Sequence, residues 1–151
     1  MICKGCTKDT TLINAHIIPK SFWVGLKDGE IAPKLMSNKA DTYPKKLPIG
    51  VYDKTILCHD CEQKFQTIDE YGQKLLLKDE SNQEKLIENG AIVGYRVQNF
   101  NYSLLKLFFI SILWRASVSS QEFYSKINIG PFEDKAKQML CTRSRGAMSN
   151  Y

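Results

Sequence analysis

Four of the five cysteines in this chain fall in two closely spaced pairs, and this spacing constrains the fold more than any other feature. The pairs are Cys3 with Cys6 and Cys58 with Cys61. Two residues between two thiolates let one tight turn present both sulfurs to a single ion, and two such pairs supply a closed tetrahedral Zn²⁺ site. The pattern therefore predicts a structural zinc ion that ties the start of the chain to its middle. A redox pair and unrelated buried thiols are the alternatives.

The composition excludes two broad classes of protein. The 151 residues are 43% hydrophobic and 25% charged, which suits one compact domain or two small modules and excludes a disordered polymer. No stretch approaches the roughly 18 apolar residues that a membrane span needs, and the first residues lack the pattern of a secretory signal. We therefore expect no membrane partner and a cytoplasmic, reducing location. The net charge of +5 is compatible with a nucleic-acid partner, and solubility alone explains it equally well.

Between the cysteine pairs, strand-forming and loop-forming segments alternate. Residues 10–19 are β-branched and apolar and end at a proline, which predicts a strand with His16 near its end. Residues 24–50 are rich in glycine and proline, which predicts a long loop and a candidate substrate contact. Residues 51–57 predict a second strand. The apolar residues after the second cysteine pair recur at helical spacing and predict a helix through about Leu77.

The second half of the chain is predicted to be mostly helical. Residues 92–97 alternate in a strand-like way, but residues 103–117 are apolar nearly all round and predict a helix that is either core or a subunit interface. An interface there would serve a homodimer or another protein partner. The order of proline and charges from residue 131 predicts a final helix to about Leu140.

The order of the elements in the first half resembles that of the HNH endonucleases, whose ββα-metal site is built on a zinc-supported treble-clef scaffold. The resemblance rests on the two cysteine pairs, on the segment Ala15-His16-Ile17-Ile18-Pro19 between them, and on the second pair running directly into a helix. It covers about residues 1–77. It implies an α+β fold, with a treble-clef ββα-metal module over 1–80 and a mainly helical region over 81–151 packed on it.

The resemblance also implies a set of catalytic residues. In that family the histidine before Ile-x-Pro is the general base that takes a proton from water attacking a phosphodiester, and His16 matches it. A hydrogen-bonded structural histidine is the alternative reading. The acidic residue that often precedes this histidine is replaced by Ala15, and the family's asparagine and last histidine align with Asp53 and Glu62. Carboxylates at those two positions would supply oxygen ligands for a catalytic Mg²⁺ or Mn²⁺.

The function expected from this resemblance is metal-dependent hydrolysis of phosphodiester bonds in DNA by an endonuclease. His16, Asp53 and Glu62 are its candidate catalytic residues. The candidate nucleic-acid contacts are Lys20, Lys45 and Lys46, which are equally plausible as ordinary surface. The alternative function is a catalytically inactive zinc module that binds nucleic acid or a protein partner, and the missing acid at position 15 favours it.

Overall fold

The computed structural model describes residues 1–26 and 31–143, with side chains as far as Cys141. Part of the predicted loop, residues 27–30, and the segment 144–151 lie outside the described residues. The described part mixes four α-helices with three small antiparallel sheets. The elements are β1 (Ala15–His16), α1 (Lys20–Val24), β2 (Lys34–Leu35), β3 (Lys45–Lys46), β4 (Tyr52–Asp53), α2 (His59–Gln73), β5 (Gln83–Glu88), β6 (Ala91–Val97), α3 (Tyr102–Val118) and α4 (Glu133–Arg143).

The two strands predicted in the first half form, but each is much shorter than expected. Strand β1 pairs with β4 over two residues, with Ala15 opposite Asp53. Residues before β1 bond instead to the second cysteine turn, where the Ile13 N–H donates to the Leu57 carbonyl. Strand β4 ends because the Asp53 side chain accepts a hydrogen bond from the Thr55 N–H, which closes a turn. The predicted loop over 24–50 likewise contains the short β2–β3 ladder.

The helix predicted after the second cysteine pair is confirmed. Helix α2 begins at His59, and a π-helical turn at Lys74–Lys78 continues it past Leu77. Its buried face carries Phe65, Ile68 and Leu75, as the helical spacing requires. Aspartate and glutamate in the first turn suit the positive end of the helix dipole.

The prediction of a mainly helical second half omits a long hairpin. Strands β5 and β6 pair along their whole length, and Asn89 and Gly90 connect them with φ angles of 50° and 79°. Positive φ at two successive residues is the geometry of a type I′ turn, for which an Asn-Gly pair is the usual sequence. The alternation over 92–97 is therefore confirmed as a strand, but its partner strand was not predicted.

The apolar helix is largely core. In α3, Phe108 and Trp114 are each 1% exposed, and Trp114 packs against Phe65 of α2. Phe109 and Leu113 remain exposed, so a homodimer or protein partner at this helix stays a prediction. No helix in the described residues is long and apolar enough to cross a membrane.

One hydrophobic cluster joins both halves of the chain. It runs from Cys3 through Phe65 of α2 to Leu140 of α4. The boundary predicted at residue 80 therefore crosses a continuous core, and the division into two units stays a prediction.

Candidate functional site

The four predicted zinc ligands come together at one point. The sulfurs of Cys3, Cys6, Cys58 and Cys61 all lie within 4.8 Å of one another, and those of Cys6 and Cys58 are 3.8 Å apart. Four sulfurs held tetrahedrally at about 2.3 Å from a zinc ion lie about 3.8 Å from each other, so the cluster has the dimensions of a zinc site. Within the described ranges, this is the one group of three or more His, Cys, Asp or Glu side chains close enough to hold an ion.

Hydrogen bonds at this cluster favour a thiolate. The Cys58 N–H donates to the Cys3 sulfur at 3.3 Å. Burial raises the pKa of Cys3, but backbone N–H groups of Cys6 and Cys58 outweigh it and lower the pKa to about 7. Burial raises the pKa of Cys58 and Cys61, which is expected of thiols crowded together without a cation. A zinc ion bound here would supply that cation, because zinc binds thiolates and deprotonates them.

His16 lies at the end of β1 with one ring nitrogen free to act. The ring donates a hydrogen bond to the Ile49 carbonyl. Its Nε2 atom is buried and has no hydrogen-bond partner among the residues that the structure describes, so the bond to Ile49 falls to Nδ1. Burial, followed by the charges of Lys20 and Arg115, lowers the pKa of His16 below its ordinary value of 6.5. The ring is therefore neutral at neutral pH, with a lone pair on Nε2.

Glu62 is beside His16, because the first turn of α2 packs on β1. The His16 backbone N–H contacts the Glu62 carboxylate and acts to lower its pKa. The stronger effect is burial, which raises the pKa of Glu62 above 4.5. Oxygen Oε2 of Glu62 is buried, and nothing in the described part of the chain bonds to it. His16 and Glu62 are thus neighbours, and their sharing of one catalytic site stays a prediction.

Both carboxylate oxygens of Asp53 accept hydrogen bonds from neighbouring residues. It is fully buried, and its carboxylate accepts hydrogen bonds from Thr55 N–H and Oγ1, Ser119 Oγ, and Ser120 N–H and Oγ at 2.7–3.0 Å. These contacts occupy both oxygens and fasten β4 to the end of α3. They give Asp53 a structural role in place of the predicted metal contact. Ala15, opposite it in the ladder, is also fully buried and offers no oxygen.

Arg115 of α3 is a site residue that the sequence analysis missed. Its side chain is fully buried and donates two hydrogen bonds to Asp69 of α2, at 2.7 and 2.9 Å. It also donates to the His16 carbonyl oxygen at 2.9 Å and lies 5.5 Å from the centre of the Phe65 ring. The available signal was an arginine inside an apolar helix, because a buried guanidinium requires a carboxylate partner.

An open cleft of about 330 Å³ lies along α2 beside Glu62. Most of its lining is polar and comes from one side of that helix. The lining carboxylates are those of Glu62, Asp69 and Glu70, and the amides are those of Gln63, Gln66 and Gln73. A negatively charged ligand would be repelled here unless a cation were bound with it.

The predicted nucleic-acid contacts are all exposed. Lys20 begins α1 and is close enough to His16 to lower its pKa. Lys45 and Lys46 form β3, and neighbouring residues of a strand point to opposite faces, so their side chains diverge. The structure pairs Lys46 with Lys34 of β2 instead.

Comparison of the chain with protein-family models, with characterised proteins and with solved structures finds no match. The resemblance to the HNH endonucleases therefore rests on the residues of this chain alone.

Proposed function

We propose that this chain is a metal-dependent endonuclease that hydrolyses phosphodiester bonds of DNA on a zinc-held, treble-clef-like scaffold. The observation that carries the proposal is the state of His16, whose ring is neutral, is oriented by the Ile49 carbonyl, and has no partner at Nε2 among the described residues. An unpartnered imidazole nitrogen costs free energy when buried, and a water molecule in the act of losing a proton is a partner that removes this cost.

The order of elements supports the scaffold part of the proposal. One cysteine pair precedes β1, the other spans the start of α2, and β1 pairs with β4. Zinc bound to all four cysteines would hold both ends of this unit and would stabilise the fold without entering the reaction.

In the proposed reaction His16 removes a proton from water at Nε2. The water oxygen forms a bond to phosphorus while the bond from phosphorus to one ester oxygen breaks. The leaving oxygen takes a proton from solvent water, and the imidazolium later returns its proton to solvent. The Ile49 carbonyl holds the proton at Nδ1 throughout, which keeps Nε2 available as the base. Arg115 fixes the His16 backbone by donating a hydrogen bond to its carbonyl oxygen.

Glu62 supports the metal dependence. Its buried, unbonded Oε2 is a hard oxygen donor beside His16, and Mg²⁺ in proteins is commonly held by one or two carboxylates together with water and substrate phosphate. A bound divalent ion, Mg²⁺ or Mn²⁺, would neutralise the acidic cleft and stabilise negative charge on the phosphate. Because both oxygens of Asp53 accept hydrogen bonds from other residues, Glu62 is the one protein carboxylate that we assign to this ion.

A non-catalytic zinc module that binds nucleic acid or a protein is the second candidate. Two observations favour it: Ala15 brings no metal ligand, and the Asp53 carboxylate is fully hydrogen bonded. Both reduce the number of side chains that could hold a catalytic ion.

Nicking of supercoiled plasmid with Mg²⁺ or Mn²⁺ distinguishes the endonuclease from the non-catalytic zinc module. We expect the wild-type protein to nick and His16→Ala to lose nicking at every metal concentration while keeping its zinc and its fold. Glu62→Ala should nick weakly and recover in part as the metal concentration rises. Asp60→Ala removes an exposed carboxylate from the same turn of α2 and should nick like wild type.

Two outcomes would contradict the proposal that this chain is an endonuclease. One is cleavage by His16→Ala at the wild-type rate, which would show that His16 is not the general base. The other is wild-type protein that binds DNA and leaves it uncut with either metal, which favours the binding module.

A further inference from the structure

Two lysines stand directly opposite each other in the β2–β3 ladder. Lys34 pairs with Lys46, and Leu35 pairs with Lys45. Opposite residues of an antiparallel pair project from the same face, with Cβ atoms about 4.5–5.5 Å apart. Lys34 and Lys46 therefore share one exposed face, and Lys45 lies on the other. We call the Lys34–Lys46 pair and its backbone the lysine ribbon.

No acidic side chain among the described residues, 1–26 and 31–143, is paired with either Lys34 or Lys46. Lys39, in the connection between the two strands, is bonded to Glu122. Like charges directly opposite in a sheet are destabilising. A pair of this kind is expected where an anion binds to both ammonium groups.

Only a short segment of chain separates the lysine ribbon from the proposed active site. The Leu47 N–H after β3 donates to the Pro33 carbonyl before β2, and two residues further on Ile49 holds the His16 ring. Three residues of extended chain span at most about 11 Å, which limits the separation of Lys46 and Ile49. That length corresponds to about three nucleotide steps of 3.4 Å along B-DNA.

We propose that the lysine ribbon binds successive phosphates of duplex DNA, a few nucleotides from the phosphate that His16 would act on. Two exposed ammonium groups on one face of a short ladder suit a repeating anion and read no base edges. The proposal rests on the proposed function in taking DNA as the ligand. It extends that function by naming Lys34, which no sequence pattern singled out, and by separating Lys46 from Lys45.

Fluorescence anisotropy with a labelled DNA duplex, without divalent ions and over a series of salt concentrations, tests the proposal. Each phosphate contact contributes about 0.9 to the slope of log affinity against log salt, so Lys34→Ala with Lys46→Ala should reduce that slope by about 1.8. The melting temperature of this variant should equal or exceed that of wild type, because the substitution removes a repulsion.

Lys85→Ala with Lys106→Ala is the matched control. Both control lysines are exposed and lie on β5 and α3, and either double variant lowers the net charge from +5 to +3. We expect the control to keep the wild-type slope. Equal slope changes in the two variants would show a general charge effect and overturn the proposal, and so would an unchanged slope in the Lys34 and Lys46 variant.

A competition experiment separates DNA from an acidic protein. The two competitors are compared at equal concentrations of negative charge, counted as phosphates or carboxylates. Unlabelled duplex should displace the labelled duplex at a lower such concentration than polyglutamate does. Polyglutamate competing equally well would overturn the assignment to DNA. Because these measurements do not depend on cleavage, a protein that binds through the ribbon but never cuts would contradict the proposed enzyme and leave the ribbon supported.

Discussion

Nη1 of Arg115 lies 2.9 Å from the carbonyl oxygen of His16 and within hydrogen-bond distance of Asp69, so one buried guanidinium connects α3, β1 and α2. The guanidinium is stable as a charge only while its partner is present, because it is fully buried and water does not reach it. The second half of the chain thereby supports the backbone of the proposed base.

Arg115→Met should lower the free energy of unfolding by about 3 kcal/mol, because it removes the ion pair of the partly buried Asp69 and the donor to the His16 carbonyl. Urea unfolding measures this loss. Adding Asp69→Leu should recover much of it. The control is Arg96→Met, which breaks an exposed pair with Glu84 and should cost less than about 1 kcal/mol. Equal losses in the two single variants would contradict the buried network.

The zinc ion should be required for folding. Cys58→Ser removes one of four clustered sulfurs, and since zinc binding is coupled to folding in such sites, the variant should lose zinc and unfold at least the first half. Elemental analysis and circular dichroism check this. Cys141→Ser changes the fifth cysteine, outside the cluster, and should keep one zinc ion per chain. Folded wild-type protein without zinc would disprove the site.

Gly50 should tolerate no side chain. Its φ is +81°, and a Cβ atom there would lie 2.2 Å from Nε1 of Trp23. Gly50→Ala should cost about 3 kcal/mol or more, because the strain of a positive φ adds to overpacking. Gly90 has nearly the same φ, +79°, but nothing lies within 4 Å of its added Cβ. Gly90→Ala should therefore cost about 1–2 kcal/mol, from backbone strain alone.

Unfolding by urea with Trp fluorescence as the probe distinguishes these two alanine variants. The Gly50 variant should also shift the emission of the folded state, since Trp23 must move. Similar losses in both variants would mean that the ring of Trp23 accommodates the methyl group.

The ionisation of Asp53 should make the stability of the fold depend on pH in the acidic range. Burial would raise the pKa of its carboxyl, but hydrogen bonds from Thr55, Ser119 and Ser120 outweigh burial and hold the pKa below 3.8. A lowered folded-state pKa stabilises the fold above the unfolded value, near 3.8, and this contribution is lost as the pH falls through the folded-state pKa. Wild-type stability should therefore decline below about pH 4.

Asp53→Asn should lose about 2–3 kcal/mol at neutral pH, because an amide NH₂ cannot accept the bonds that Ser119 and Ser120 donate. Its stability should also change less between neutral pH and pH 3 than that of wild type. Asp41→Asn, at an exposed position with φ of 59°, should match wild type. Urea unfolding at each pH is the measurement, and parallel pH profiles for wild type and Asp53→Asn would contradict the assignment.

Local sequence patterns were sufficient for several features. The spacing of Cys3, Cys6, Cys58 and Cys61 predicted the cluster because ligand spacing is a property of a short turn. The periodicity after Cys61 predicted α2, and the apolar run predicted α3, because each pattern reports which side of one element is buried. The short β1–β4 ladder was predicted too long, because the bonds that end it come from the second cysteine turn and from the Asp53 side chain.

The remaining site features depend on contacts between distant segments, which no local pattern records. Asp53 and Glu62 are both carboxylates that the resemblance singled out. Ser119 and Ser120 bond to the first, whereas Oε2 of the second has no partner among the described residues. Likewise, Lys46 is separated from its neighbour Lys45 by strand alternation and joined to Lys34 by strand register. Local sequence patterns identified the chemical groups that are available. Which of these groups meet depends on the packing of distant segments, because hydrogen bonds and electrostatic interactions depend on separation in space and not on separation along the chain.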